Sequence, residues 1–470
     1  MKAKMNTETK INTKMTLGYV LELKRVAFRN LARHRVKTTL TVLAIAVSVA
    51  TYIFVDGWLL GMQLDSQRNI VSYETGAAKA QQAAYIEKLD ELPMYANFSG
   101  WETYAAALDA AGYDTAPRFV FAGTLYAEGG SAPVVFIGCD PEAEGRLLRW
   151  TDFIEDGEPI RNGMTRENGL PMPQIVLGAM TADKLGVSTN GVLNKPGDAF
   201  SPVRITTAVD LKDERGVVRH VYQVIDAVVA GIVNSPNPKN NNNVAWIPLD
   251  VLQDDNGLML EGKVTELLVR AKGADDTRLP GKNERAEVIA AALEGMLGTA
   301  LPPGMGIYGW QTYAADYEAA AKGDDISSRI MVAILFILSF LGIANTMLLA
   351  ILERTKEIGM MRAQGMTDGD LALVYMLEAG MAGFFGALAG ALIGCLCTIP
   401  MVEHGLDFTA ITNQMSGNIG YRTTGIFRST WNVPVIIGSA AVATLVSAGA
   451  AFFPIRRALK MSITDSLRFE

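Results

Sequence analysis

Four long apolar segments constrain this chain more than any other feature of its sequence. Each is nearly free of charged residues over a length that could cross a bilayer, about 20 residues for a helix. We predict transmembrane helices over residues 38–60, 330–352, 371–399 and 433–453. A buried core helix is the alternative for an apolar run, but such helices are usually shorter. The pattern therefore predicts a helical membrane protein.

The composition indicates a second, globular part. The chain has 470 residues, of which 49% are hydrophobic and 19% are charged, which is too polar for membrane helices alone. The long segment 61–329 mixes helical and strand patterns and is long enough for one or two compact subdomains. We predict an α-helical membrane protein with four transmembrane helices plus an α+β extracytoplasmic domain inserted between helices 1 and 2.

Local patterns predict the elements of this domain. "WETYAAALDAAGYD" is typical of a helix that ends at Gly112, and "NERAEVIAAALEGMLG" is typical of another. "RFVFAGTLYAEGGSAPVVFIGCD" predicts two strands joined by a turn at Gly129 and Gly130. "IVLGAMTADKLGV" predicts a strand or turn before a short helix, while "HVYQVIDAVVAGIV" and "ELLVRAK" predict further strands. Pro236, Pro238 and the Asn240–Asn243 run predict a loop.

The charge distribution predicts which side each segment faces. Residues 1–37 hold ten Lys/Arg, the loop 353–370 holds three and the tail 454–470 holds four, but the loop 400–432 holds two. By the positive-inside rule, both termini and the 353–370 loop are cytoplasmic. The segment 61–329 is then outside, and its 23 Lys/Arg against 37 Asp/Glu give it a net charge of −14. This acidic domain disfavours binding to nucleic acid.

The basic N-terminal region shows a helical spacing. Its cations recur at every fourth position, at Arg25, Arg29, Arg33 and Lys37, and apolar residues such as Phe28 and Leu31 fall on another face. This spacing favours an amphipathic helix on the membrane surface, in contact with lipids. A plain basic tail would explain the charge but not the apolar spacing. The first span lacks a convincing cleavage site and is expected to remain as an anchor.

No pattern in the chain predicts catalysis. The three cysteines and three histidines are dispersed, without the spacing of a disulfide framework, a metal site or a catalytic triad. The motifs G-x-S-x-G, H-E-x-x-H and Walker A do not occur. We therefore expect no catalytic residue, no metal site, no cofactor in this chain and no enzyme activity, and nothing identifies the residues that bind substrate.

Small residues recur inside two predicted spans. Gly386, Gly390 and Gly394 lie four apart in "GFFGALAGALIG", and the fourth span repeats the spacing with small residues at Ser439, Ala443, Ser447 and Ala451. Such stripes let helix backbones approach closely in lipid, so we predict helix packing. Asp56 and Glu378 lie near predicted span ends, which favours an interfacial position over a proton relay.

The short loop between the second and third spans is charged and helix-prone. In "LERTKEIGMMRAQGMTDGD" Gly365 is placed to end a helix, and Thr367 with Asp370 predicts a capping-box start for the third span. A charged helix with a small apolar face, too short to fold alone, is suited to docking in a groove of a partner.

This loop also resembles a known family. "GIANTMLLAILERTKEIGMMRAQGMT" is similar to the signature of the FtsX/MacB-type ABC transporter permeases. "RNLARHRVKTTLTVLAIAVSVA" and "FFPIRRALKMSITDSLRFE" resemble the beginning of the first span and the C-terminal end of that family. In the inserted domain, "VVFIGCDPEAEG", "IVLGAMTADKLGV" and "GWQTYAADYE" resemble the lipoprotein-releasing, Lol-type branch. "SPNPKNNNN" and the 400–432 loop match no part of the family pattern.

The resemblance implies a function by mechanotransmission in the inner membrane. Two permease chains, identical or different, would pair with separate cytoplasmic ATPase subunits that hold ATP and Mg, and a periplasmic carrier or adaptor could assist. The family pattern implies that the ATPase contacts a coupling helix formed by Glu353, Arg354, Glu357, Ile358, Gly359, Met361, Arg362 and Gly365.

The Lol-type matches favour the release of lipoproteins from the inner membrane. MacB-like export of peptides or toxins, and FtsX-like regulation of a cell-wall hydrolase, are the alternatives within the family. A membrane enzyme is a further class, but no motif supports it.

Overall fold

The computed structural model describes residues 23–29, 31, 35–167, 170–187, 201–212, 218–253, 258, 260–274, 278–407 and 426–468. The chain divides into two compact units. The membrane unit comprises Met1–Gly61, Lys322–Leu406 and Phe427–Glu470, and the inserted unit comprises Met62–Ala321 with Asp407–Ile426. The predicted fold class is confirmed: membrane helices combine with an α+β domain.

The helices have the following bounds in chain order: α1 Arg35–Ile70, α2 Ala83–Glu87, α3 Trp101–Ala110, α4 Pro141–Leu147, α5 Ala179–Leu185, α6 Pro238–Asn241, α7 Leu249–Gln253, α8 Ala286–Leu297, α9 Ala315–Glu353, α10 Thr355–Ala363, α11 Asp368–Glu403, α12 Val433–Ala458 and α13 Ile463–Arg468. Among the described residues, α1, α9, α11 and α12 are long and apolar enough to cross a membrane.

These four helices are longer than the apolar runs that predict them. The first continues past residue 60 and ends in a π-helical turn at Val71–Thr75, and α9 begins at Ala315 rather than at 330. The prediction stopped at charged residues such as Asp65 and Arg329. Helical backbone hydrogen bonds need no apolar side chains, so a helix can extend beyond the membrane.

The small residues of α11 and α12 lie at close helix contacts. A Cβ atom built on Gly390 would lie 2.6 Å from the carbonyl oxygen of Ala46 in α1, and one built on Gly383 would lie 2.5 Å from the Cβ of Ser447 in α12. A side chain at either position would collide with the neighbouring helix, so glycine permits the close approach. The α12 residues of the predicted stripe are all buried: Ser439, Ala443, Ser447 and Ala451.

Polar groups of the membrane unit meet partners on other helices. The Asp56 carboxylate accepts a hydrogen bond of 2.8 Å from the Asn432 side chain. The hydroxyls of Ser48 and Ser339 share one of 2.7 Å between α1 and α9. Such pairs satisfy groups that lipid could not.

The N-terminal helical segment 23–29 packs on protein. Its Leu23 and Ala27 are buried against Val374 of α11. Arg25 and Arg29 are exposed, as is Phe28. Of the predicted basic stripe, Arg33 and the Lys37 side chain lie outside the described residues, as does the segment before residue 23.

The strands of the inserted unit are β1 Ala78–Gln82, β2 Phe98–Ser99, β3 Tyr113–Ala127, β4 Gly130–Cys139, β5 Ile154–Gly157, β6 Met164–Glu167, β7 Leu170–Gly178, β8 Ser201–Lys212, β9 Val218–Val233, β10 Val244–Pro248, β11 Lys263–Val264, β12 Glu266–Ala271 and β13 Met305–Gly309. They form one large sheet, except that β2 and β11 pair with each other in a separate two-stranded sheet. The short strands β14 Leu406–Asp407 and β15 Ile426–Phe427 follow α11.

The main path of the sheet runs β13-β1-β12-β3-β4-β10-β7-β9-β5. Most neighbours are antiparallel, whereas β4 with β10 and β7 with β9 are parallel. Apolar residues are buried on both faces: Phe121 stacks on Phe136 in one cluster, and Trp150 stacks on Trp246 in the other. A sheet covered on both sides is a rigid base for the loops at its edges.

The sequence patterns located most elements of this unit. The predicted hairpin is present but turns at Glu128 and Gly129, with Gly130 as the first residue of β4. The helix predicted to end at Gly112 ends at Ala110. The expectation of a plain loop at Pro236–Asn243 is wrong, because Pro238–Asn241 forms a short helix. The Asn237 side chain caps that helix by accepting a hydrogen bond of 3.0 Å from the Lys239 amide.

Candidate functional site

The short helix α10 stands between the second and third membrane helices. The backbone of Arg354 leaves helical geometry (φ −104°, ψ 15°), which separates α10 from α9. Gly365 has a positive φ of 97°, which a residue without Cβ adopts readily, and follows the last turn. Thr367 then caps α11, with Asp370 completing the predicted capping box. Local signals thus make α10 a discrete element.

One face of α10 is anchored in the membrane unit. Ile358 is buried in an apolar cluster with Ile351 of α9, Tyr375 of α11 and Ile455 of α12. Gly359, beside it, is also buried. Because this cluster joins α10 to three membrane helices, a displacement of α10 must move their ends or disrupt the cluster.

Arg362 connects α10 to two other segments, one before α13 and one at the start of α11. Its Nη1 donates a hydrogen bond of 2.7 Å to the carbonyl oxygen of Met461, just before α13. Its Nε lies 3.0 Å from an Asp368 carboxylate oxygen at the start of α11. The guanidinium presents several donors in a fixed plane, which suits this double contact.

Arg354 forms a buried ion pair. Its Nη1 lies 3.4 Å from Oε2 of Glu378 in α11, and each side chain is less than a tenth exposed. A pair this buried fixes the angle between α9 and α11 where α10 begins. Each of the two buried charges is therefore compensated by the other. The sequence alone did not reveal this ion pair.

The opposite face of α10 is exposed. We define the exposed face as Lys356, Glu357, Met360 and Ala363, which follow one another at intervals of one, three and three residues. Met360 is 51% exposed although it is apolar. An exposed methionine flanked by charges of both signs is suited to a helix-in-groove contact.

The structure divides the eight predicted coupling residues into two sets. Glu353, Glu357 and Gly365 are exposed, whereas Arg354, Ile358 and Gly359 are buried and Met361 and Arg362 are half-buried. The second set holds α10 in place rather than presenting it. Glu353 also belongs to the end of α9. The prediction missed Lys356 and Met360, which the helical period of Ile358 and Met361 could have placed on the outer face.

The described residues contain no group of three or more His, Cys, Asp and Glu side chains that could hold a metal ion. The helix α10 instead presents one exposed face, while its other face contacts α9, α11 and α12.

Comparisons with known proteins match both units. Residues 38–279 match the MacB-like periplasmic core domain, and residues 329–463 match the FtsX-like permease C-terminal family. The chain is 29% identical over 138 residues to an uncharacterized ABC transporter permease, MJ1507, of Methanocaldococcus jannaschii, a match covering 29% of this chain and 31% of that protein.

Two further relatives carry named activities. The lipoprotein-releasing system transmembrane protein LolC of Haemophilus influenzae is 23% identical over 168 residues, covering 36% of this chain and 40% of that protein. The macrolide export ATP-binding/permease protein MacB of Campylobacter jejuni is 23% identical over 488 residues, covering 100% of this chain and 65% of that protein. This chain thus spans less than two thirds of the length of these relatives.

Among solved structures, the periplasmic region of MacB from Actinobacillus actinomycetemcomitans matches with a TM-score of 0.31 and 11% identity, covering 53% of this chain and 96% of that one.

Proposed function

This chain belongs to the ABC transporter permeases of the MacB and FtsX type, and we propose that it converts ATP hydrolysis by a separate subunit into movement of its inserted domain. The ATPase would lie in the cytoplasm and hold ATP and Mg. Both termini of the chain and α10 would face it, with the inserted domain on the periplasmic side of the inner membrane. A second permease chain would complete the complex.

The exposed face of α10 is the observation that carries this proposal. Its charges and its exposed Met360 would dock in a groove of the ATPase, while Ile358, Arg354 and Arg362 hold the opposite face. A docked helix with rigid backing transmits displacement to the elements it contacts. The membrane helices would then change position with each ATP cycle.

The proposed cargo is lipoproteins of the inner membrane. The similarity to LolC and the Lol-like segments of the inserted domain favour this substrate class. Export of a small molecule or peptide is the second candidate, because the match to MacB extends over the whole chain.

Depletion and rescue test the proposal in the cell. On depletion of the chain we expect lipoproteins to accumulate in the inner membrane after fractionation, and the wild-type chain to restore sorting. The double variant Met360→Asp with Glu357→Lys adds a charge to the exposed face and reverses another. We expect it to weaken docking to the ATPase by at least about tenfold, which corresponds to about 1.4 kcal/mol of binding free energy. This variant, expressed at the wild-type level, is expected not to restore sorting.

The matched control is Glu403→Lys, a charge reversal at an exposed position at the other end of α11 from α10. It is expected to restore sorting fully. Normal lipoprotein sorting after depletion would refute the cargo, and sensitivity to an exported compound would then favour the second candidate. Rescue by the α10 variant would refute docking through the exposed face.

A further inference from the structure

The asparagine-rich segment at residues 235–243 is an ordered element of the inserted unit. Asn237, Asn240 and Asn241 are buried. The Asn241 side chain accepts a hydrogen bond of 2.7 Å from the Ser235 amide and donates one of 2.9 Å to the Ser235 carbonyl oxygen. Buried amides that satisfy backbone groups in this way specify one conformation. The segment is therefore rigid, and we call residues 235–243, which include the short helix α6, the asparagine loop.

This segment donates hydrogen bonds to the turn that ends the first membrane helix. Past Ile70 the helix continues as the π-helical turn Val71–Thr75. The Asn240 side chain donates a hydrogen bond of 2.6 Å to the carbonyl oxygen of Tyr73, and Asn237 donates one of 3.1 Å to the Glu74 carboxylate. The Lys239 ammonium is an ion-pair partner of the same carboxylate. Carbonyl groups at a helix end need such external donors.

A residue of the sheet also donates a hydrogen bond to this turn. Arg118, in the middle of β3, donates a hydrogen bond of 2.9 Å from Nη1 to the carbonyl oxygen of Glu74. Its guanidinium is held by the buried carboxylate of Glu144, which also accepts a hydrogen bond from the Trp150 indole. The donor that contacts the helix is thus fixed to the core of the sheet.

The same network reaches the start of the second membrane helix. Arg118 lies 3.4 Å from Glu266, whose carboxylate accepts a hydrogen bond of 3.1 Å from Gln81. Gln81 in turn accepts one from the Tyr313 hydroxyl, shortly before α9 begins at Ala315. Burial lowers the pKa of Lys79, which is 2.8 Å from Glu266, although that carboxylate acts to raise it. One buried network therefore contacts both chain segments that lead into the membrane helices.

We propose that Arg118, Asn237, Lys239 and Asn240 form a clamp on Tyr73 and Glu74 that makes the inserted domain follow the first membrane helix. We call these four residues the helix clamp. They hold two consecutive peptide carbonyl oxygens and one carboxylate from two directions, so a shift of the helix must move β3 and the asparagine loop with it. The inference rests on the proposed function, since the ATPase must supply the movement.

Hydrogen exchange with mass spectrometry tests the clamp. The complete chain, purified in nanodiscs with the ATPase that co-purifies from its membranes, is compared with and without ATP and Mg. In the wild type we expect ATP to change exchange in α10 and in peptides of β3. Glu74→Lys reverses the charge that faces Lys239. It is expected to retain ATP hydrolysis and the response of α10, with the response of β3 reduced about tenfold, the size of a typical coupling between sites.

Rescue separates a clamp from a merely structural role. Glu74→Lys combined with Lys239→Glu restores the opposite charges and is expected to restore the response of β3. Asn240→Ala, which introduces no charge, is expected to weaken that response without rescue. Asp226→Lys is the matched control: it reverses a carboxylate paired with Arg204 at 2.7 Å on the exposed side of the same unit, and should leave the response intact.

The outcomes distinguish the clamp from the function on which it rests. A normal β3 response in both Glu74→Lys and Asn240→Ala would overturn the clamp and leave the proposed function standing. Failure of the charge swap to restore the response would also overturn it. A wild-type complex in which ATP changes neither α10 nor β3 would overturn the proposed function and the clamp together.

Discussion

Arg354 shows how a charged residue in a signature motif can be structural. Its guanidinium is buried with Glu378 at the junction of α9, α10 and α11. Transfer of two charges from water is costly, and their attraction offsets that cost only while both are present. The pair therefore makes the geometry of this junction depend on both residues.

Removing one charge should destabilise the membrane unit. We expect Arg354→Ala to lower the free energy of unfolding by about 3 kcal/mol, because it leaves the Glu378 charge buried without its cation. Arg354→Met with Glu378→Leu should recover most of that loss. Lys356→Ala, an exposed cation two residues on, is the control and should change it by less than about 0.5 kcal/mol.

Thermal unfolding of the purified chain in detergent measures these differences. Equal losses for Arg354→Ala and Lys356→Ala would contradict a structural role for the ion pair. A double variant less stable than Arg354→Ala would do the same.

The burial of charged residues such as Arg354 could not be predicted from the sequence alone. The motif located α10, Gly365 and the Thr367 cap, because those signals are local. The same motif assigned Arg354 and Arg362 to a docking surface, whereas their partners Glu378 and Met461 lie far along the chain. Burial of a charge depends on such distant partners, so periodicity within one helix could not reveal it.

At the scale of elements, close packing of α11 against α1 organises the membrane unit. Cβ atoms built on Gly386, Gly390 and Gly394 would lie 2.8, 2.6 and 3.1 Å from atoms of α1. The spacing predicted a contact surface, and the structure identifies its partner. Which helix would lie opposite was not readable, because many apolar helices could accept the same stripe.

A single methyl group tests this contact. Gly390→Ala should destabilise the membrane unit by about 1–3 kcal/mol, since the added carbon would overlap the Ala46 carbonyl and Val49. Gly449→Ala, in α12, is the matched control, because a Cβ there has no neighbour within 4 Å. It should be neutral or slightly stabilising, since alanine favours a helix over glycine by about 1 kcal/mol. Unfolding midpoints that fall equally in both variants would exclude the contact.

Elements determined by nearby residues could be predicted from the sequence, whereas elements determined by contacts far along the chain could not. The β3–β4 hairpin was predictable from alternation around two glycines, and α8 from its apolar period. The asparagine loop was not, because its hydrogen bonds to Tyr73 and Glu74 join residues that are distant in sequence. The full lengths of α1 and α9 were also not predicted, because their terminal helical turns contain charged residues.

At the scale of the whole molecule, the proposed function requires that movement at α10 reach the inserted domain. The exposed face of α10 would receive the movement of an ATPase, and the helix clamp would pass the movement of α1 to the inserted domain. The membrane helices α1, α9, α11 and α12 would link the two through the glycine contacts and the buried cluster around Ile358.

Site-specific photocrosslinking can detect the proposed contact between α10 and an ATPase subunit in the cell. A photoreactive amino acid replaces Met360 in the full chain in living cells, and replaces Leu341, 58% exposed within the membrane helix α9, as the control. We predict that position 360 forms a covalent adduct with a subunit that contains the P-loop motif G-x-x-x-x-G-K-[ST], and that position 341 forms none. The absence of that adduct at position 360, or an equal yield from position 341, would contradict the proposed contact.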